Sequence, residues 1–384
     1  MKKILFIIIT LFIFINVKGL EINSRNAILY NMNDKSVIYE KNSDDIVQIA
    51  SLTKIITAIT VIENIDDLEK EVTITSEMLQ NLEGYAKAGF KVEDKLTCLD
   101  LLYALMLPSA ADAAQALAIS TSGSIEEFSN LMNKKVSEIG VVNSKFDNPV
   151  GMDSENNYST ASDLAKILIY SLENETFKQI FNSNNYKIES LDLEVKKTLA
   201  SYKTDTSIII GAKTGFTYDA GLCLASTSTI DDVDYLLITL GADINSEYHA
   251  KDTINIYKYY SSNYGYINIL NKNQLLKTIK VKHSKQKTYD ITSKEDVSLY
   301  LEKTTNKETI EYKYEGIEEL NKDIKKGDKL GKVEVINNNK VIYTYDVYLD
   351  IDIKYYNYLL YISTCLVAIL LIIIFILTKR KVRC

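Results

Sequence analysis

The sequence predicts a mixed α/β or α+β body, a small antiparallel β domain after it, and a transmembrane helix near the C-terminus. Predicted helices lie between an opening pair of strands and a closing run of strands, which is typical of mixed folds. Beyond about residue 275, apolar and polar side chains alternate along several short stretches, as they do in half-buried strands. Residues 359–378 form an uncharged run of about 20 residues, the length that spans a bilayer.

The body begins with two predicted strands over residues 26–40, joined by the turn-forming stretch NMNDKS. The run over 55–62 would place apolar residues on every face of a helix, which predicts a central, buried helix. The next two helices separate at Pro108, because the residue before a proline disfavours helical geometry. Ser124, with Glu127 three positions later, indicates a capping box at the start of another helix. The remaining helix and strands follow in the order YSTASDLAKILIYSLE, TSIIIGAKTGFT, GLCLASTST and VDYLLITLG.

The domain boundaries follow from these patterns and from the two ends of the chain. Residues 1–19 are predicted to be a secretory signal segment, either cleaved or retained as an anchor, because two lysines precede an apolar stretch. The body covers 20–270, and the β domain, with INNNK as a hairpin turn, covers 275–352. A basic tail, 379–384, follows the transmembrane helix of 359–378 and places that end inside. The sequence therefore predicts a single-pass cell-membrane protein with its body on the extracytoplasmic side.

The composition argues against several classes of function. The formal net charge is −7, with lysines and acids interspersed, so nucleic acid is not expected as a partner. His249 and His283 are the only histidines, and no metal-binding spacing occurs, which argues against a zinc site or a Ser-His-Asp triad. Cys98 and Cys223 are the cysteines of the predicted body, where they could pair or stay free. No motif indicates a metal or an organic cofactor.

Ser51 and Lys54, in the stretch ASLTKIITAI, lie three positions apart at the start of the central helix. This spacing places both side chains on one helix face. The N-terminus of a helix favours developing negative charge, and burial beside the core can lower the pKa of a lysine until it acts as a base. By itself the pair is weak evidence, because the same spacing recurs at Ser284 and Lys287 in a polar stretch.

Two further stretches strengthen the prediction of a serine nucleophile. AKTGFT contains the chain's single Lys-Thr-Gly, Lys213 to Gly215, on a predicted strand, where the glycine lets a substrate lie close to the backbone. Its lysine and threonine offer a charge and a hydroxyl to an anionic group. Between the two stretches, MLPSAADAAQAL presents Ser109 on the loop that joins two predicted helices.

These three stretches, in this order, resemble the motifs of the active-site serine enzymes that react with penicillin. The stretches LTCLDLLYALMLPSAADAA, FDNPVGMDSENNYSTASDLAKI and AKTGFTYDAGLCLAST extend the resemblance to the low-molecular-mass D-alanyl-D-alanine carboxypeptidases. The likeness covers roughly residues 25–265, and KKGDKLGKVEV gives a weaker likeness to that family's small β domain over 275–350. It implies a serine β-lactamase/transpeptidase-like catalytic domain, with an antiparallel sheet flanked by helices.

The resemblance also implies an activity and a set of catalytic residues. The chain would be a serine-type D-Ala-D-Ala carboxypeptidase that trims peptidoglycan stem peptides through an acyl-enzyme and binds β-lactam antibiotics. Ser51 would be the nucleophile, Lys54 the general base, and Ser109 would relay a proton to the leaving D-alanine.

The Lys-Thr-Gly strand would bind the substrate. Lys213 and Thr214 would hold its terminal carboxylate, and Gly215 would allow its close approach. The backbone N–H groups of Ser51 and Phe216 would stabilise the oxyanion.

The sequence departs from the family at two places. The middle motif usually ends in asparagine, where this chain has Ala111, a loss that could cost roughly ten- to a hundredfold in rate. Asp112 is one residue out of register and is not expected to substitute. Members usually carry an arginine near SEYHAKD that supports carboxylate binding, and here the nearest candidates are His249 and Lys251.

Two alternatives stay open. A β-lactamase would need fast hydrolysis of the acyl-enzyme, but no Glu-x-x-Leu-Asn stretch lies between residues 109 and 213. A catalytically impaired relative could act as a cell-wall binding or scaffold protein, a reading that rests on Ala111. The sequence leaves the oligomeric state open.

Overall fold

The computed structural model describes residues 20–356 and 358–381, and the chain divides into two units between Asn263 and Tyr264. The predicted signal segment, 1–19, and residues 382–384 of the predicted tail lie outside the described residues.

The first unit contains nine strands and seven helices among its described residues. The strands are β1 Asn26–Asn31, β2 Ser36–Lys41, β3 Glu71–Thr73, β4 Lys95–Thr97, β5 Asn185–Ile188, β6 Leu193–Lys196, β7 Ala212–Thr217, β8 Gly221–Ile230 and β9 Val233–Ala242. The helices are α1 Thr53–Asn64, α2 Cys98–Met106, α3 Ala111–Ser122, α4 Ile125–Ile139, α5 Ala161–Leu172, α6 Glu175–Asn182 and α7 Tyr248–Asn263.

A five-stranded sheet in the order β2-β1-β9-β8-β7 organises this unit. All of its neighbouring strands are antiparallel, with Gly215 opposite Cys223 in the β7–β8 pair. Helix α5 packs against β1 and β9, and α7 packs against β8 and β9. Strand β7, which carries the Lys-Thr-Gly motif, therefore lies at an edge of the sheet, where a backbone partner could add.

The central helix predicted over 55–62 is confirmed as α1, in which every residue from Thr53 to Val61 is buried. The predicted break at Pro108 is confirmed as well, since α2 ends at Met106 and α3 begins at Ala111. Cys98 and Cys223 are both buried and free, so the open question of their pairing is answered.

The predicted cap of α4 forms, with the Glu127 N–H donating to Ser124 Oγ over 3.1 Å. The reciprocal pair of bonds that defines a capping box occurs instead at the start of α2, between Thr97 and Asp100.

The second unit is built from short strands, as the alternating pattern predicted; their pairs are antiparallel except that of β11 with β15, which is parallel. Its described elements are β10 Tyr264–Leu270, β11 Leu275–Val281, β12 Thr288–Thr292, β13 Val297–Glu302, β14 Glu311–Gly316, β15 Glu319–Leu320, β16 Lys329–Asn337, β17 Lys340–Tyr348 and α8 Tyr358–Lys381. The INNNK hairpin turn joins β16 to β17, and Asn338 and Asn339 adopt the positive φ angles that such a turn requires.

The boundary between the units differs from the expectation of 20–270 and 275–352. Strand β10 pairs with β13 along Tyr264 to Leu270, so its backbone hydrogen bonds belong to the second unit. The first unit accordingly ends at Asn263.

Helix α8 coincides with the transmembrane segment predicted over 359–378. Within the residues that the structure describes, no helix combines the length and the apolar character that crossing a bilayer requires. The helix is therefore confirmed, whereas the transmembrane span is not.

Candidate active site

Ser51 and Lys54 lie in contact where the chain enters the central helix. A 3₁₀ turn, Ala50–Leu52, leads directly into α1, and Lys54 Nζ lies 2.9 Å from Ser51 Oγ. Ala50, immediately before the serine, has a φ of 48°, a left-handed conformation that is costly for a residue other than glycine. The local sequence thus holds the serine on a strained turn with an amine beside its oxygen.

Lys54 is buried in an environment that disfavours its charged form. Its side chain is 1% exposed, and its amine also donates to the Val150 carbonyl over 2.6 Å. Burial lowers the pKa of Lys54 to about 7, with the charge of Asp112 acting in the opposite direction. A substantial fraction of these amines is therefore neutral near pH 7 and can accept a proton.

Lys213 is the second buried lysine of the site. Its amine donates to the Thr214 carbonyl over 2.9 Å, and Thr214 is itself buried. Burial, and after it the positive charge of Lys54, lowers the pKa of Lys213. The structure therefore brings the Lys-Thr-Gly strand and the Ser51–Lys54 pair together, as the sequence predicted.

Gly215 explains why β7 can lie so close to the nucleophile turn. A Cβ at this position would be 3.1 Å from the Ile49 carbonyl oxygen and 3.2 Å from the Ser51 nitrogen. A side chain would therefore crowd the turn. The next residue, Phe216, is 46% exposed at the open edge of the sheet.

Ser109 occupies the corner between α2 and α3 and is mostly buried, with a φ of 66°. The corner is held from outside, because both the N–H and the Oγ1 of Thr198 donate to the Leu107 carbonyl over 3.1 Å. Within the described part of the chain, the Ser109 hydroxyl forms no hydrogen bond to Ser51 or Lys54. Ser109 is thus positioned by its backbone.

Asp112, the acidic neighbour of the missing asparagine, is held by backbone donors. Asp112 accepts hydrogen bonds from the backbone N–H groups of Ala88, Gly89 and Phe90, so its carboxylate organises that loop. Ala111 is fully buried, and its N–H donates to the Ala86 carbonyl over 2.8 Å. That Asp112 does not substitute for the asparagine stays a prediction.

The two candidates for the usual arginine differ, because His249 is buried and Lys251 is exposed. His249 is buried against Tyr202, whose hydroxyl lies 2.8 Å from His249 Nε2, and burial lowers the pKa of His249 to about 4. The ring is therefore neutral at pH 7. Lys251 is exposed and donates to Ser246 Oγ over 2.6 Å.

The loop over 148–152, to which the sequence pattern gave no role, forms one wall of the site. Asn148 Oδ1 accepts from the N–H groups of Val150, Gly151 and Met152 and so folds the loop into a tight turn. The Pro149 carbonyl accepts from Thr57 Oγ1 over 2.8 Å, which ties the turn to α1. The Asn-Pro-x-Gly sequence was the available signal, because both ends of it favour turns.

Two family models match the chain. The model described as D-alanyl-D-alanine carboxypeptidase matches residues 14–244, and that of the C-terminal domain of penicillin-binding protein 5 matches 264–355. The second match begins where the structure divides the chain.

Curated relatives agree with these matches. The chain is 27% identical over 328 residues to the D-alanyl-D-alanine carboxypeptidase DacF of Bacillus subtilis, an alignment that covers 83% of each chain. It is 30% identical over 247 residues to DacC of Escherichia coli, over 59% of this chain and 58% of that one.

Solved structures share the fold. Penicillin-binding protein 5 of Haemophilus influenzae matches with a TM-score of 0.67 at 22% identity, over 88% of this chain and 99% of that one. A Streptomyces DD-transpeptidase matches with a TM-score of 0.58 at 28% identity, over 63% of this chain and 98% of that one. Because the first family model spans more than half of the sequence, the chain belongs to the D-alanyl-D-alanine carboxypeptidase family of penicillin-binding proteins.

Proposed function

We propose that this carboxypeptidase removes the terminal D-alanine of peptidoglycan stem peptides with Ser51 as its nucleophile. The observation that carries the assignment is the contact of 2.9 Å between Ser51 Oγ and the amine of Lys54, whose pKa is lowered to about 7. A buried amine in this state is the base that a serine needs in a site without histidine.

In the proposed reaction, Ser51 Oγ attacks the carbonyl between the two D-alanines while its proton passes to Lys54. Collapse of the tetrahedral intermediate breaks the C–N bond, and the proton held by Lys54 passes through Ser109 to the leaving amine. Water then attacks the ester and gives a proton to Lys54. Collapse of this second intermediate breaks the ester C–O bond, returns the proton from Lys54 to Ser51 Oγ, and releases the shortened peptide. The reaction requires no redox cofactor, because no atom changes its oxidation state.

The Lys-Thr-Gly strand supplies the proposed binding contacts. Lys213 and Thr214 hold the terminal carboxylate, which restores charge balance to a buried lysine. The backbone N–H groups of Ser51 and Phe216 receive the oxyanion, and Gly215 keeps β7 close enough to the serine for both to reach one oxygen. β-Lactams acylate the same serine.

The alternative of an impaired wall-binding protein rests on Ala111 alone. Against it, the contact between Ser51 and Lys54 is intact, and both lysines of the site are buried. A chain that had lost catalysis would have no need to retain two uncompensated amines in its core, because burying them costs stability.

Labelling with fluorescent penicillin tests the assignment. We expect the full chain to form a covalent adduct and to release D-alanine from a pentapeptide, and we expect Ser51→Ala to do neither. Thr53→Ser is the matched control: it alters a buried residue two positions after Ser51 but retains the hydroxyl, and we expect this variant to form the adduct. A folded wild-type protein that takes no label would favour the wall-binding alternative.

We further propose that the protein works at the extracytoplasmic face of the cell membrane, attached through α8. Supporting this, the apolar side chains that the structure describes in α8 are exposed, with Leu366, Leu370 and Phe375 about 60% accessible, and lysines and arginines follow the apolar run in the sequence.

The test is fractionation of cells that express the full chain or a chain ending at residue 356. We expect the full chain in the membrane fraction, released by detergent and not by high salt, and the shortened chain outside that fraction. Recovery of the full chain without membranes would contradict the attachment.

A further inference from the structure

Asp153 lies at the end of the Lys-Thr-Gly strand, on the nucleophile's side of β7. Side chains alternate between the two faces of a strand, so Thr217 shares a face with Lys213 and Gly215. Thr217 Oγ1 donates to Asp153 Oδ1 over 2.8 Å. The carboxylate also lies two residues after Gly151, and it therefore joins the 148–152 loop to β7 at one end of the site.

The direction of a bound peptide follows from the proposed function, on which this inference rests. The terminal carboxylate lies at Lys213 and Thr214, and the bond to be broken lies beside Gly215 and Ser51. The peptide therefore runs antiparallel to β7, as a strand added to an open sheet edge. At about 3.3 Å per residue, the residue before the D-Ala-D-Ala pair lies alongside Phe216 and Thr217, next to Asp153.

The charge of Asp153 is not neutralised by the protein. Within the described part of the chain, no lysine or arginine forms an ion pair with it. Partial burial raises the pKa of Asp153, the Thr217 hydroxyl opposes this, and the negative charge of Asp219 adds to the increase. A cation placed at this carboxylate would relieve both unfavourable effects.

We propose that Asp153 is a specificity-determining residue that binds the side-chain amine of the stem-peptide residue immediately before the D-Ala-D-Ala pair. The preferred substrate class is accordingly a peptide whose residue at that position carries a cationic amine. Thr217 holds the carboxylate toward that amine, and the exposure of Asp153 leaves room for a long side chain to reach it.

The test compares Nα-acetyl-L-lysyl-D-Ala-D-Ala with the same peptide carrying norleucine, which lacks the amine and adds no bulk. We expect kcat/KM for D-alanine release to be about threefold to tenfold higher for the lysine peptide, a modest ratio because water screens an exposed ion pair. The difference should appear in KM, because the ion pair stabilises the bound substrate and the transition state to the same extent. Added salt should reduce the difference.

Asp153→Asn should bring the two kcat/KM values together, because its amide oxygen can still accept from Thr217 while the charge is gone. Asp219→Asn is the matched control: it removes a neighbouring negative charge that does not accept from Thr217, and it should keep most of the preference for the lysine peptide. Thermal unfolding of both variants verifies that they fold. Equal values for the two peptides with the wild-type protein, or a preference that survives Asp153→Asn, would overturn the inference. Absence of D-alanine release from both peptides, together with failed penicillin labelling of Ser51, would contradict the proposed function and this inference with it.

Discussion

Replacing Lys54 with methionine is expected to lower the rate constant for acylation of Ser51 by penicillin by about 10²- to 10⁴-fold, the range that a general base contributes. Methionine fills the space of the lysine stem but cannot take the serine proton. Because the pKa of Lys54 is about 7 and the neutral amine is the active form, wild-type acylation should rise with pH and level off above that value. The variant should lose this rise. Stopped-flow acylation between pH 5 and 9 measures both effects.

Lys197→Met is the matched control for this experiment. Lys197 is also buried, donates to the Ile210 carbonyl over 2.7 Å, and has a pKa lowered to about 8 by burial. Its replacement removes a similar amine without touching Ser51, so the rise of acylation with pH through about 7 should remain. A Lys54→Met protein that acylates at the wild-type rate would rule out Lys54 as the base.

Gly151→Ala is expected to reduce acylation by about 10²-fold, because small displacements of catalytic groups have effects of this size. The glycine has a φ of 87°, and a Cβ there would lie 2.0 Å from the Ala50 carbonyl oxygen and 2.9 Å from the Ser51 nitrogen. Either the 148–152 loop or the nucleophile turn has to move. Movement of the loop displaces the Val150 carbonyl from Lys54, and movement of the turn displaces Ser51 from Lys54. Acylation kinetics and thermal unfolding, measured together, test this expectation.

Gly140→Ala is the control that separates the effect of the steric contact at Gly151 from the effect of its left-handed backbone conformation. Gly140 has a φ of 83°, and a Cβ there would meet no atom within 4 Å. The substitution therefore carries the same left-handed strain, about 1–2 kcal/mol, and should lower stability while acylation stays normal. If both variants acylated normally, the close packing of Gly151 on the nucleophile turn would have no catalytic importance.

Local features were readable from the sequence because they depend on neighbouring residues. The run over 55–62 has apolar residues on every face of a helix and so predicts a buried helix, and a spacing of three places Ser51 and Lys54 on one face. Pro108 ends α2 through its own ring. The INNNK turn likewise forms from residues that tolerate positive φ angles.

Other predictions failed or were incomplete because they depend on where distant segments meet. The boundary near 270 was misplaced because strand alternation does not reveal that β10 pairs with β13. His249 looked like a candidate cation in the sequence, but its burial against Tyr202 keeps the ring neutral. The environment of a side chain, unlike its spacing, is set by residues far along the chain.

The sequence by itself determined which groups could react: a serine, a lysine one turn later, and a Lys-Thr-Gly strand in an order that identifies the family. Only the tertiary structure decided their state. The Val150 carbonyl, 96 residues from Lys54, accepts from its amine, and burial in the packed core lowers the pKa of that amine. Thr217 likewise donates a hydrogen bond to Asp153, 64 residues away in the sequence. Desolvation and long-range hydrogen bonds arise from packing, so no local pattern of residues could have specified them.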